Sequence, residues 1–113
     1  MKKLMIAMIC MFAISTTLMA QSTKKTEVFK VYGNCEMCQG KIEGALKKKD
    51  GILSKSWDTE TKMLTVSYDT TKISLLKIKQ LIADVGYDTD EVRAKAETYN
   101  KLHKCCQYER PKN

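Results

Sequence analysis

Residues 31–49 read VYGNCEMCQGKIEGALKKK. Gly33 breaks an extended stretch, and two cysteines, Cys35 and Cys38, follow at the start of an amphipathic run. Asn34 is a residue type that caps helices, because its short polar side chain accepts from free backbone N–H groups of the first turn. Cys38, Ile42, Ala45 and Leu46 fall on one helical face, while Lys41 and Lys47 to Lys49 lie elsewhere on it, in solvent. The spacing predicts a helix to about Lys49, stopped by Asp50-Gly51. Upstream, Thr26 to Tyr32 alternates and is rich in β-formers, with Phe29 and Val31 on one side, which predicts a strand. A strand thus passes into a helix through a loop that carries two thiols.

Downstream, Ile52–Trp57 and Lys62–Tyr68 read as two strands joined by the polar turn 58–61, with Trp57, Leu64 and Val66 inward. Ser74 is placed to cap a second helix whose face is Leu75, Ile78, Ile82 and Val85, with Gly86 as its stop. Tyr87 to Arg93 reads as a short last strand, and Ala94 to about His103 as a third helix. The order strand, helix, strand, strand, helix, strand is the split βαβ pattern of ferredoxin-like α+β folds, an open-faced sandwich. Here it gains a C-terminal helical extension, and the tail 107–113, with Pro111, is expected to be loose.

The first twenty residues predict a signal peptide: Lys2-Lys3, an apolar run from Leu4 to Ile14, and a polar end closing in Ala20. The run is shorter than the roughly 20 apolar residues a membrane helix needs. The expected division is therefore a leader over 1–20, a flexible stretch over 21–25, one domain over 26–93 and an extension over 94–113. Five of the seven methionines belong to the leader, leaving Met37 and Met63, so a methionine-rich copper site is not supported. Without Lys2 and Lys3, 18 basic residues face 13 acidic ones, a net charge of +5 that favours an acidic partner face. The basic residues alternate with acids, and export adds to the case against nucleic acid as a partner. A secreted or periplasmic setting is oxidising, where cysteines can pair.

A C-x-x-C pair has three readings. A thioredoxin-like redox couple is opposed by the absence of proline between Gln21 and Arg110, by the element order and by the short chain. A structural disulfide would close a very small loop and so remove little chain entropy. For metal ligation the geometry is favourable. The positive end of a helix and its free N–H groups favour thiolate over thiol, and thiolate sulfur suits soft ions such as Cu(I) or Zn(II). A thiol–disulfide protein using Cys35/Cys38 together with Cys105/Cys106 is the alternative function. No Ser-His-Asp set, phosphate loop or paired carboxylates stand in a persuasive context, so a non-enzyme is expected.

Taken together, Gly33, Cys35, Cys38, Ile42, Glu43, Ala45, Leu46 and Gly51-Ile52 resemble the heavy-metal-associated domain. Trp57, Leu64, Val66, Tyr68-Asp69, Ile78, Ile82 and Gly86-Tyr87 extend the resemblance, which spans about Glu27 to Val92. The family includes copper chaperones, N-terminal modules of copper-transporting ATPases and the periplasmic mercury-binding protein. The resemblance implies one soft ion held between Cys35 and Cys38, Cu(I) favoured with Zn(II) or Hg(II) possible. It also implies handover by thiolate exchange with a donor or acceptor such as a metal-transporting ATPase or a similar domain. The family's loop usually reads Gly-Met-x-Cys-x-x-Cys; Gly33-Asn34-Cys35 is one residue shorter and lacks that methionine, which is a core plug in the family. Tyr87 stands where the family places a residue beneath the metal loop.

His103, Cys105 and Cys106 lie outside the usual domain. The 13 residue steps from Arg93 to Cys106, if helical at about 1.5 Å each, rise about 20 Å. A six-residue strand spans about the same. A returning third helix would therefore bring His103, Cys105 and Cys106 to the level of Cys35 and Cys38, as possible additional ligands; a disulfide role or an exposed tail are the other readings.

Overall fold

The computed structural model describes residues 23–112, so the expected leader over 1–20 lies outside the described residues. The elements are β1 (Lys24–Lys30), α1 (Glu36–Ala45), β2 (Ile52–Trp57), β3 (Met63–Asp69), α2 (Leu75–Asp84) and the short α3 (Ala96–Asn100), followed by a single 3-10 turn at Lys104–Cys106. β1 starts at Lys24, inside the stretch expected to be flexible.

The sheet is antiparallel in the order β1-β3-β2, with β3 central. Its register places Phe29 and Trp57 on either side of Leu64. These residues, with Val66 and Tyr68, face the helices and are buried. Alternation sends Val28 to the opposite face, and both it and Leu53, at the register irregularity between Ile52 and Ser54, are about half exposed, so the sandwich is open on that side. The β2–β3 turn is pinned by Asp58, whose Oδ1 accepts from the amides of Glu60 (2.7 Å) and Thr61 (3.0 Å).

α1 buries Cys38 and Ile42, and its C-cap Leu46 continues the same face at four-residue spacing. α2 buries Ile78 and Ile82, and Ser74 caps it by accepting from the amide of Lys77 at 3.1 Å. Sequence periodicity did not reveal the buried Lys79. Its ammonium lies over the Phe29 ring and pairs with Asp90 and Glu91 at the molecular edge, an offset for its desolvation.

The last strand differs from expectation. Only one bridge, Val31 to Thr89, forms against the end of the β1 segment, flanked by the amide of Tyr32 donating to Asp88 O and that of Asp90 to Lys30 O. Two observations account for its brevity. Thr89 Oγ1 accepts from the amides of Glu91 and Val92, turning the chain, and the buried Asp88 carboxylate accepts from the Ala94 amide at 2.7 Å. α3 is correspondingly five residues long and not ten. Because the fourth strand leaves the loop level so briefly, a short helix suffices to bring the chain back.

The tail is docked, contrary to expectation. Tyr108 is buried, stacked on Tyr87 and edge-on to Tyr99. Arg110 donates from Nε and Nη2 to the two Asp88 carboxylate oxygens, each at 2.8 Å. Gly86 takes a φ of +107° that suits glycine, and an added Cβ there would press on Leu102 at 3.1 Å. No helix among the described residues is long and apolar enough to cross a membrane.

Candidate metal centre

Cys35 occupies the cap position of α1 in extended backbone (φ −141°, ψ −171°), and Cys38 lies in its first turn. Asn34 was expected to cap the helix. Its side-chain amide instead donates to the carbonyl of Cys105 at 3.0 Å, tying the loop to the C-terminal extension. Its backbone amide points at Cys38 Sγ (3.4 Å), and its carbonyl accepts from Lys62 Nζ (2.7 Å). Gly33 lies against Trp57: an added Cβ would meet the indole at 3.0 Å and Cys38 Cβ at 3.3 Å. The indole N–H donates to Val31 O at 3.1 Å, fixing the floor under the loop.

The two thiols differ in setting. Cys35 is half-buried and Cys38 fully buried. Burial pushes the Cys38 pKa up, but the amides of Cys35 and Asn34, the Tyr87 hydroxyl and the Cys106 thiol outweigh it and hold the thiol below its ordinary value of 9.0. A buried sulfur whose thiolate is favoured relative to an ordinary thiol suits a soft cation.

Beneath the loop sits Tyr87, fully buried, with its hydroxyl in no well-directed hydrogen bond among the described residues. Burial raises its pKa first, and the thiols of Cys38 and Cys106 raise it further, which places all three groups in one neighbourhood. An unsatisfied buried donor facing sulfur fits thiolates better than thiols, since a thiolate is the stronger acceptor.

The extension brings its cysteines to this level. Cys106 is buried in the core cluster that holds Cys38 and Tyr87, and burial, with Cys38 and Cys105 adding to it, pushes its thiol up to about 11 despite the Tyr87 hydroxyl. Cys105 is exposed; its sulfur lies 3.6 Å from Met37 Sδ and 3.9 Å from Cys106 Sγ. Met37 is itself half exposed, so it fills no core position. His103 is exposed. No three His, Cys, Asp or Glu side chains among the described residues already stand in a metal-holding arrangement.

The heavy-metal-associated domain profile matches residues 28–88, more than half of the chain. The chain belongs to the heavy-metal-associated domain family. Among its relatives, the copper chaperone CopZ of Staphylococcus haemolyticus is 35% identical over 63 residues, covering 55% of this chain and 93% of that protein. A zinc-transporting ATPase of Synechocystis sp. is 37% identical over 78 residues, 67% of this chain but only 11% of the transporter. The crystal structure of oxidised MerP from Ralstonia metallidurans CH34 superposes with a TM-score of 0.56 at 28% identity, covering 59% of this chain and 94% of that one. The heavy-metal-associated match covers β1 through Asp88, so α3, the 3-10 turn and the tail are additions to the matched domain. Metal binding and carriage are the properties of this family that such relatives share.

Residues that sequence reading missed are Asp88, Tyr108 and Arg110, which lock the extension down. A signal existed: Tyr108 and Arg110 are two apart, so in extended backbone they share a face.

Proposed function

We propose that the protein is an exported carrier or scavenger of a soft metal ion, Cu(I) before Zn(II) or Hg(II). Cys35 and Cys38 are the primary ligands, and cargo passes by stepwise thiolate exchange to a similar domain or a metal-transporting ATPase. The observation that carries this reading is the pair of thiols at the cap and first turn of α1, with the Asn34 amide 3.4 Å from Cys38 Sγ. The helix terminus and these amides stabilise negative sulfur, and two thiolates suit a soft monovalent ion better than Zn(II), which prefers four ligands. The half-buried Cys35 supports exchange: an incoming thiolate can attack from solvent while Cys38 still holds the ion. Lys2-Lys3, the apolar run and Ala20 support export.

Native mass spectrometry of the reduced protein with Cu(I) is expected to show one retained ion, absent from Cys35→Ser/Cys38→Ser. Undiminished retention in that double variant would contradict the reading. N-terminal sequencing from the native host is expected to begin at or near Gln21; an intact Met1 on cytosolic protein would contradict export.

A further inference from the structure

We propose that the C-terminal extension supplies a third sulfur, Cys106, to the ion held by Cys35 and Cys38, and that the buried Tyr87 hydroxyl donates to the resulting thiolates. The inference rests on the two-cysteine reading above and deepens it.

Three independent features converge on Cys106 and leave out its neighbours. First, Cys106 is wholly buried in the same core cluster as Cys38, whereas Cys105 faces solvent next to Met37 and His103 is exposed. Second, the Tyr87 hydroxyl is wholly buried with no hydrogen-bond partner among the described residues, and Tyr87 belongs to the core cluster that holds Cys38 and Cys106. A buried polar group of this kind is costly unless something satisfies it, and thiolates do so more strongly than thiols. Third, the backbone holding Cys106 is fixed independently of the sulfur. The Asn34 side chain binds Cys105 O, the Tyr108 hydroxyl donates to Gly86 O (2.9 Å), and Arg110 closes onto Asp88. The extension therefore presents Cys106 to the loop as a preset group.

The existing arrangement is not yet a three-donor site. Cys35, half-buried at the cap position and packed against the core, is the side chain that would reorient about χ1 to complete the site. On binding, each thiol gives its proton to solvent and its sulfur lone pair to the ion; no oxidation state changes. Three thiolates around a monovalent ion leave a net negative charge, which the Tyr87 hydroxyl and the amides at the start of α1 offset. A third bond must also be exchanged during handover, so release is slower than from a two-thiolate loop, which suits scavenging.

The test is X-ray absorption and chelator competition on the reduced full chain loaded with Cu(I) alone. The parent is expected to show about three sulfurs per copper and Cys106→Ala about two, with at least about a tenfold loss of affinity, since even outer-sphere partners contribute 10–100-fold. Cys105→Ala should match the parent. Tyr87→Phe should keep the sulfur count while weakening affinity by about tenfold. Two sulfurs in the parent, or three in Cys106→Ala, overturn the proposal; so does a loss seen only when Cys105 and Cys106 are both replaced. If Cys106→Ala fails to fold, Cys106→Ser takes its place under the same criteria. Retained tight binding in Cys35→Ser/Cys38→Ser would instead overturn the underlying two-cysteine reading, so the two failures are distinguishable.

Discussion

Arg110→Met is the sharpest probe of how the extension is held. The Asp88 carboxylate is fully buried and accepts three hydrogen bonds, from Arg110 Nε and Nη2 and from the Ala94 amide. Methionine keeps most of the aliphatic stem and deletes the charge, leaving a buried carboxylate with one amide donor. Breaking a buried pair from one side costs about 3–5 kcal/mol. The Arg110 side chain is 20% exposed, so water would partly replace it and the lower end, about 3 kcal/mol, is the expected loss. The least costly response is release of the extension alone, with the β1-β3-β2 sheet and both long helices intact. Amide exchange reads this directly: the Cys106 and Tyr108 amides, bonded to His103 O and Cys106 O, should exchange about a hundredfold faster at roughly 1.4 kcal/mol per decade. Trp57, in the sheet, should report an unfolding midpoint changed far less. Neutralising both partners, Asp88→Asn/Arg110→Met, should recover part of the loss. Unchanged exchange at Cys106 and Tyr108 would refute the account of the pair as the anchor.

Other outcomes follow from the same contacts. Burial pushes the Asp88 pKa up, but the Arg110 and Ala94 hydrogen bonds outweigh it and hold it below its ordinary value. The stabilisation is therefore complete above the unfolded value of about 3.9 and is lost as pH falls through the lower folded value, so acid should release the extension in the parent more than in Asp88→Asn/Arg110→Met. Tyr87→Phe removes an unsatisfied buried hydroxyl and should raise metal-free stability by about 1–3 kcal/mol in denaturant melts; a loss of stability would contradict the unpartnered state of that group. Gly33→Ala forces a methyl against Trp57 and Cys38 Cβ and should destabilise by about 1–3 kcal/mol while weakening metal binding; a neutral result on both counts would contradict the tight loop floor.

Periodicity carried most of the fold. Ile42 and Leu46, Ile78 and Ile82, and the alternation of Leu64, Val66 and Tyr68 are local patterns that burial alone imposes, and all are buried. The Ser74 cap was equally readable, since its partner Lys77 lies three residues away. Asn34 was misleading as a cap because its amide is recruited by Cys105, 71 positions on, which no local rule encodes. The last strand and third helix were overextended for a related reason. The Asp88 carboxylate and Thr89 hydroxyl turn the chain early, and their effect depends on the distant Arg110. The cysteine loop was legible because its spacing and its helix phase agree. The length match that predicted a returning helix did not hold, since the last strand is one bridge and α3 five residues. The separation of a buried Cys106 from an exposed Cys105 and His103 was not legible either, because it depends on the packing of Tyr108 and Leu102 in the extension.

The central claim, a soft ion held by Cys35 and Cys38, is tested most directly by competition between the reduced protein and a chromophoric chelator for Cu(I), repeated with Zn(II). The parent should withdraw about one Cu(I) per chain and hold it far more tightly than Zn(II), and Cys35→Ser/Cys38→Ser, still folded, should withdraw none. Equal withdrawal by parent and double variant, or a parent that takes Zn(II) in preference to Cu(I), would contradict it.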